Sequence, residues 1–250
     1  MLKIASWNVN GLRAVLTKDN LNWIKDYDII GVQESKLSDK LACDLLGFNV
    51  FYSLAQKKGY SGVTLFTKIP PVDVCASFTK TGYKDSEGRI LKTYFKDFLL
   101  YNIYFPNGKK DNDRLKFKLD FYEVLLAELV LELKSNPNII IMGDFNTAHK
   151  PIDLARPKDN ESVSGFLIEE RILIDRILDL GFTDTFRHFN QEPNHYTWWH
   201  LRTNARSRNV GWRIDYIMTS HSLTQSLTDA AILSDVMGSD HCPVTLDLKL

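Results

Sequence analysis

The chain has 250 residues, 44% of them apolar and 25% charged, which suits a soluble globular protein with a sizeable core, built as one large domain or two small ones. Its 31 basic and 31 acidic residues cancel, which argues against coating nucleic acid through bulk charge but leaves room for a local basic face beside an acidic site. Cys43, Cys75 and Cys242 form no CxxC pair, no apolar run reaches membrane-spanning length, and strand patterning begins at Leu2, so a cytoplasmic chain with reduced thiols and no signal peptide is expected.

The first apolar run, 2–9, predicts a buried strand that carries Ser6-Trp7-Asn8-Val9-Asn10-Gly11 at its end. Residues two apart on an extended chain share a face, so Asn8 and Asn10 point together. Their amides suit the orientation of a water or a metal, and an Asn-Gly turn accounts for them equally. The run 29–32 predicts a second strand, and Gln33-Glu34 then places a carboxylate that needs water, a cation or a partner. A solvated glutamate at a strand end is the plainer reading.

Further strands are predicted at 63–67 and 99–105. The second carries Tyr104, which reads either as a phenol donor to a phosphate oxygen or as a core-edge tyrosine. Lys109, Lys110, Arg114, Lys116 and Lys118 follow, either as contacts to a DNA backbone or as the solvated face of a helix. That helix is predicted over 114–134, where Phe117, Phe121, Leu125 and Leu129 recur every four residues.

The run 139–142 predicts a buried strand ending in Gly143-Asp144-Phe145-Asn146. Gly143 permits a tight exit, and Asp144 and Asn146 share a face. An aspartate there can take a proton from attacking water while the amide donates to a phosphoryl oxygen, although an Asp/Asn turn is the alternative. A second helix is predicted over 164–180, with Ser164 as cap and Gly181 as stop.

Trp198-Trp199 precede the segment 204–216, Asn204-Ala205-Arg206-Ser207-Arg208-Asn209-Val210-Gly211-Trp212-Arg213-Ile214-Asp215-Tyr216. Arginines suit a phosphate grip, tryptophans a pocket wall or stacking surface, and the aspartate on the strand predicted at 214–218 the orientation of a catalytic group. Gly238-Ser239-Asp240-His241-Cys242-Pro243 leads into the last strand, predicted at 244–248, and sets a carboxylate beside an imidazole. Strands and helices mingle throughout, so a single α/β domain over 1–250 is expected. Carboxylates, amides, a His and a Tyr at strand ends are the equipment of metal-assisted phosphodiester hydrolysis. No GxxxxGK[ST], HExxH or GxSxG motif occurs, which disfavours nucleotide-triphosphate hydrolysis, zinc proteolysis and serine hydrolysis.

The ordered set Trp7-Asn8-Val9-Asn10-Gly11-Leu12-Arg13, Gln33-Glu34, Gly143-Asp144-Phe145-Asn146, Trp212-Arg213-Ile214-Asp215-Tyr216 and Ser239-Asp240-His241 resembles the exonuclease III family of abasic-site endonucleases, within the endonuclease/exonuclease/phosphatase superfamily. The resemblance covers essentially the whole chain. It implies a four-layer α/β sandwich of the DNase I-like kind, two packed mixed β-sheets flanked by helices. It also implies Mg²⁺-dependent hydrolysis of the phosphodiester 5′ to an abasic site in base excision repair, with Mn²⁺ as a substitute ion. Related activities at 3′ ends come with it: 3′-phosphodiesterase, 3′-phosphatase and 3′→5′ exonuclease.

By the same resemblance Glu34 holds the metal, with Asn10 and Asp240 as direct or water-mediated ligands. Asp144 orients or deprotonates water, Asn146 binds the scissile phosphate, Asn8 positions the cluster, Asp215 pairs with His241, and His241 and Tyr104 face the phosphate. Trp198, Trp212 and Ile214 line a pocket for the flipped abasic sugar, and Arg202 takes the place of a wedge into the DNA. Asn204, Arg206, Lys109 and Lys110 are the further DNA contacts expected. Core packing is expected for Trp199. At Asn10 some relatives carry aspartate, a better metal ligand. The implied partner is double-stranded DNA with abasic sites or 3′-blocked ends, bound by a cytoplasmic, nucleoid-associated monomer that does not engage membranes. A general nuclease or a phosphatase of the same fold is the main alternative, and a non-catalytic DNA-binding module a weaker one.

Overall fold

The computed structural model describes residues 1–17, 22–41 and 47–250, without the side chains of Asn22 and Arg202. The expectations for the Cys43 thiol and the Arg202 wedge therefore lie outside the described residues. Cys75 and Cys242 are free thiols, and no helix among the described residues is long and apolar enough to cross a membrane.

Two six-stranded mixed sheets pack face to face. The first runs, edge to edge, Leu227–Ile232, Val244–Leu248, Leu2–Asn8, Ile29–Gln33, Val63–Thr67 and Asn49–Ser53. The second runs Phe182–Asp184, Asp215–Ser220, Ile139–Asp144, Leu99–Tyr104, Ile90–Tyr94 and Asp73–Cys75. Leu2–Asn8 is parallel to Ile29–Gln33, and Leu99–Tyr104 is parallel to Ile139–Asp144.

Strand side chains alternate between faces, and that alternation builds the layers. From Leu2–Asn8, Leu2 and Ile4 enter the core between the sheets, whereas Ala5 and Trp7 pack outward with Leu12 and Val15 of helix α1 (Leu12–Leu16). From Ile139–Asp144, Ile140 and Met142 enter the same inter-sheet core. Ile139 and Ile141 pack outward against α2 (Asn112–Glu132) and α3 (Ile168–Asp179), where they meet Phe121, Leu125, Leu129, Ile174 and Ile177. Each such side chain, fully buried, contributes about 1.5–3 kcal/mol relative to exposure. The result is helix, sheet, sheet, helix: the four-layer sandwich expected.

The inward face does not stay apolar to its end. Asn8, Gln33, Tyr104 and Asp144 continue the inward rows at the last positions of their strands. Beneath them Gln33 Nε2 donates to Ser6 Oγ at 3.0 Å and, across the gap between sheets, to Asn102 Oδ1 at 2.7 Å. Polar residues thus collect at one mouth of the inter-sheet slot.

Helix α2 begins at Asn112, earlier than expected, because the Asp111 carboxylate caps it by accepting from Arg114 N at 2.9 Å. Helix α3 begins at Ile168, and Ser164 is not its cap. The Ser164 hydroxyl instead donates to Glu170 Oε1 at 2.8 Å, and the Glu170 carboxylate also takes the amides of Gly165 and Leu167. Gly181, at φ +92°, ends that helix as expected.

Gly143 is demanded by its surroundings. It sits at φ +145°, and a Cβ there would lie 1.8 Å from the Ile103 carbonyl oxygen of the neighbouring strand. Gly143→Ala should therefore destabilise the fold by about 3 kcal/mol. Urea denaturation measures this, and an unchanged midpoint would show that the strand exit tolerates a side chain.

Candidate active site

Asp144 is the centre of a row of three. Across adjacent strands it stands in register with Tyr104 on one side and Asp215 on the other. The chain then turns at Asn146, held at φ +51°, so that its backbone amide returns to Asp144 Oδ1 at 2.8 Å. The Asn146 side chain donates to the Phe105 carbonyl at 2.9 Å and accepts from Asn107 Nδ2 at 3.0 Å. Buried Lys118 fixes the same turn from below, donating to the Asn146 carbonyl at 2.7 Å and to Glu170 at 2.6 Å.

The other sheet supplies Asn8 and Glu34. The Asn8 amide donates to Asp144 Oδ2 at 2.9 Å and to Glu34 Oε1 at 3.0 Å, which ties two carboxylates to one group. Tyr104 Oη also donates to Glu34 Oε1, at 2.9 Å, and the Lys36 ammonium lies 3.0 Å from Glu34 Oε2. His241 arrives on the loop before the last strand, pinned to the first by Trp7 Nε1 donating to its carbonyl at 3.1 Å. Its Nδ1 meets Asp215 Oδ2 at 2.9 Å, and its Nε2 stands 3.9 Å from Asp144 Oδ2. Thr197 Oγ donates to the same Asp215 oxygen at 2.6 Å and accepts from the amides of Ile214 and Asp215.

These contacts set the charges. Burial and the nearby Asp215 charge push the Asp144 carboxyl up to about 7. Burial would lower the His241 pKa, but the carboxylates of Asp215, Asp144 and Asp240 outweigh it and push the imidazole up to about 10. At neutral pH the imidazole therefore holds its proton. Burial would raise Glu34, yet the hydrogen bond from Asn8 and the charge of Lys36 hold it below the usual carboxylate range. Burial, together with the Glu34 charge, drives Tyr104 well above an ordinary phenol, so it stays a donor.

Glu34, Asp144 and His241 each offer one ligand atom, all within 4.8 Å of one another. The two carboxylates fit a hard divalent cation, whereas the His241 nitrogen, protonated at neutral pH, does not ligate one. The Oε2 of Glu34 already faces the Lys36 ammonium. The other two expected ligands stand beside this group: Asn10 Nδ2 donates to Asp240 Oδ1 at 3.0 Å, and Asn10 Oδ1 accepts from Lys36.

A cavity of about 200 Å³ opens over the cluster. Its walls include Trp198, Trp212, Ile214 and Lys109, and the catalytic candidates Glu34, Asp144, Asn146 and His241 form its base. Trp198 and Trp212 pair across two short antiparallel strands, Trp198–Trp199 and Gly211–Trp212, with ring centroids 6.5 Å apart at 84°, and Trp198 Nε1 donates to Asp240 Oδ2 at 3.0 Å. Trp199, on the opposite face of that strand pair, is buried, as expected.

Several expected contacts are elsewhere. Arg206 spends its guanidinium on the carbonyls of Ser234, Val236 and Ser239 and lies over the Trp199 ring, so it braces a loop. Arg208 bonds the Thr203 carbonyl, and buried Arg213 joins Asp153 and Asp184. Arg206 and Arg213 are thus turned to internal partners, whereas Arg208 stays exposed with one bond to a neighbouring carbonyl. Asn204, a left-handed residue at φ +48°, lines a separate cleft of about 550 Å³ with Arg206 and His195. That cleft is larger, and although His195 and Asp235 both line it, no ion pair joins them among the described residues. Lys110 is exposed and lies 3.5 Å from Asp111. Arg114 pairs with Glu87, and Lys118 is buried, so neither is a free surface cation.

Lys36, Thr197 and Asn107 are site residues that the sequence reading missed. Thr197 lies 18 residues before Asp215 and reaches it only because the Trp198–Trp199 and Gly211–Trp212 strands pair.

Residues 5–241 match the Endonuclease/Exonuclease/phosphatase family. The chain is 41% identical to the exodeoxyribonuclease of Bacillus subtilis, over the whole of both chains. It is 39% identical to the DNA repair nuclease APEX1 of Danio rerio, over all of this chain and 83% of that one. Among solved structures, the 3′ phosphatase NExo from Neisseria, bound to a product DNA hairpin, superposes with a TM-score of 0.92 at 28% identity over the whole of both chains.

The Asp215–His241 pair gives a direct test. In metal-free protein the His241 ring should hold its proton far above the ordinary value of about 6.5, releasing it only as pH rises toward 10. Asp215→Asn removes the main counter-charge, so the midpoint should fall. Nitrogen NMR of the ring reads this, and an unmoved midpoint would separate Asp215 from the imidazole's charge.

Proposed function

The chain belongs to the endonuclease/exonuclease/phosphatase family, and from that premise we propose how its residues cut DNA. It is a hydrolytic, metal-dependent nuclease of DNA repair, of the abasic-endonuclease and exodeoxyribonuclease type. The reaction proposed is hydrolysis of the phosphodiester 5′ to an abasic site in duplex DNA, leaving a 3′-hydroxyl and a 5′-deoxyribose phosphate, with related cleavage at blocked 3′ ends. The observation that carries this reading is the convergence of Glu34, Asp144, Asn146 and His241 at the base of an aromatic-walled cavity.

Asp144 receives a proton from the attacking water. A carboxylate pushed up to about 7 is well matched to that task near neutral pH. Asn8 and the Asn146 amide hold its two oxygens and so aim it. The protonated His241 presents an N–H donor where charge grows on the phosphoryl oxygens, and Asn146 would join it by turning its side-chain amide from the Phe105 carbonyl. Asp215, itself held by Thr197, keeps the imidazole charged and oriented. Tyr104 stands ready as a neutral phenol donor.

Glu34 would hold the metal, assigned as Mg²⁺ with Mn²⁺ as substitute, with Asn10 and Asp240 alongside. Bound there, the ion supplies Lewis-acid neutralisation of phosphate charge. The notch of Trp198, Trp212 and Ile214 receives the base-free sugar, which brings no base to clash and forfeits less stacking on flipping. The shared inter-sheet core supports 1–250 as one catalytic domain. Its working form is assigned as a cytoplasmic monomer.

End-labelled duplexes carrying an abasic site, a uracil or no lesion, with Mg²⁺ or EDTA, test the assignment. Nicking on the 5′ side of the abasic site should require the metal. Asp144→Asn should lower the rate at least 100-fold, about 3 kcal/mol of transition-state stabilisation. Full activity of that variant would remove Asp144 from the chemistry.

Trp212→Ala tests the pocket separately. It should lower cleavage of the abasic duplex relative to the intact one, about tenfold for a lost stacking wall. An unchanged ratio would favour a general nuclease of the same fold over a lesion-specific one.

A further inference from the structure

The proposed lesion cavity contains an amine that the hydrolysis does not use. Lys109 is an exposed residue whose Nζ turns into the notch, 5.1 Å from the Trp198 ring centroid and 5.0 Å from that of Trp212. Among the described residues it forms no ion pair, in contrast to the neighbouring Lys110 beside Asp111 and to Lys118 on Glu170. Its backbone amide is fixed by Asn107 Oδ1 at 2.9 Å, so the side chain starts from an anchored loop.

An abasic sugar differs from every ordinary nucleotide in one reactive group: in its ring-opened form C1′ is an aldehyde. Building on the function proposed above, we infer that Lys109 captures this aldehyde as a Schiff base and promotes metal-independent β-elimination on the 3′ side of the lesion. Crowding by the surrounding residues lowers the Lys109 pKa despite the opposing charges of Glu170 and Asp144, which enlarges the neutral, nucleophilic fraction.

The step balances without an external redox partner. The Nζ lone pair forms the bond to C1′, and the carbonyl oxygen departs as water, leaving an iminium. A solvent base takes a proton from C2′. The C2′–H electron pair becomes the C2′=C3′ double bond while the C3′–O pair leaves with the phosphate. Water then hydrolyses the imine, releasing an unsaturated aldehyde at the 3′ end and restoring the amine.

Borohydride reduction of full-length protein mixed with an abasic duplex in EDTA tests this. A covalent protein–DNA adduct should form, and peptide mass mapping of the unmutated protein should place it on Lys109. Lys109→Arg, which keeps the charge and loses the nucleophile, should lower trapping about tenfold or more, whereas Lys110→Arg should not. Without borohydride, the EDTA reaction should yield the 3′-unsaturated aldehyde product, which differs in mobility from the 3′-hydroxyl product of hydrolysis. No adduct, an adduct mapped to other lysines, or equal trapping by Lys109→Arg overturns the inference. Parallel incision with Mg²⁺ separates the two claims. If 5′ incision persists without trapping, only the Schiff base falls; if the abasic duplex is not cut at all, the proposed function falls and the inference with it.

Discussion

One amide holds the site together. Asn8 stands on the first sheet and donates at once to Glu34, which follows a strand of its own sheet, and to Asp144 on the second. Two carboxylates this close repel, and each would be costly to bury alone. A neutral donor between them satisfies one oxygen of each and fixes their separation without cancelling their charge. The sheets must therefore meet in one register and at one depth. The inter-sheet contact of Gln33 with Asn102, just beneath, enforces the same register.

A second constraint is that the catalytic turns are held by buried ions. Lys118 and Glu170 anchor Asn146 and the loop carrying Gly165, which touches the Trp212 side of the cavity. Arg213 sits between Trp212 and Ile214 in sequence but points the opposite way, into Asp153 and Asp184, and Arg187 completes the group on Asp153. Buried pairs of this kind add little net stability, yet removing one partner costs about 3–5 kcal/mol because the other charge is stranded. Their value here is geometric: alternate residues of one short segment face the cavity and the buried network. Four lysine and arginine cations, Arg89, Lys92, Lys118 and Arg213, are buried among the described residues and so are withdrawn from any DNA-binding face.

The proton inventory ties the two sheets to the chemistry. Asp215 keeps His241 charged, and that cation lies 3.9 Å from Asp144, the group that must ionise to accept a proton. Burial raises Asp144 and the imidazolium restrains the rise. The carboxyl is left near neutrality, poised between a strong base that would stay protonated and a weak one that would accept nothing.

The sequence alone placed the main buried strands and the polar residues at their ends. The apolar runs 2–9 and 139–142 read as buried strands that end at Asn8 and Asp144, and α2 was legible from its four-residue periodicity, but that the two ends share one mouth, and that the tryptophans divide across a pair of short strands, came only from the structure. Other features were not legible. The strand Ile90–Tyr94 was hidden because Lys92, a residue that reads as solvent-facing, is buried with Glu128 and Glu132. The arginines of 204–216 read as a phosphate grip because a list of residues does not say which carbonyls and carboxylates will surround them. Lys36, Thr197 and the aromatic seat of Lys109 carry no motif at all. Local pattern decides which face a residue takes, because that depends on backbone geometry. Only the tertiary structure decides which partner a charge meets, because that depends on segments far apart in the chain brought within a few ångströms.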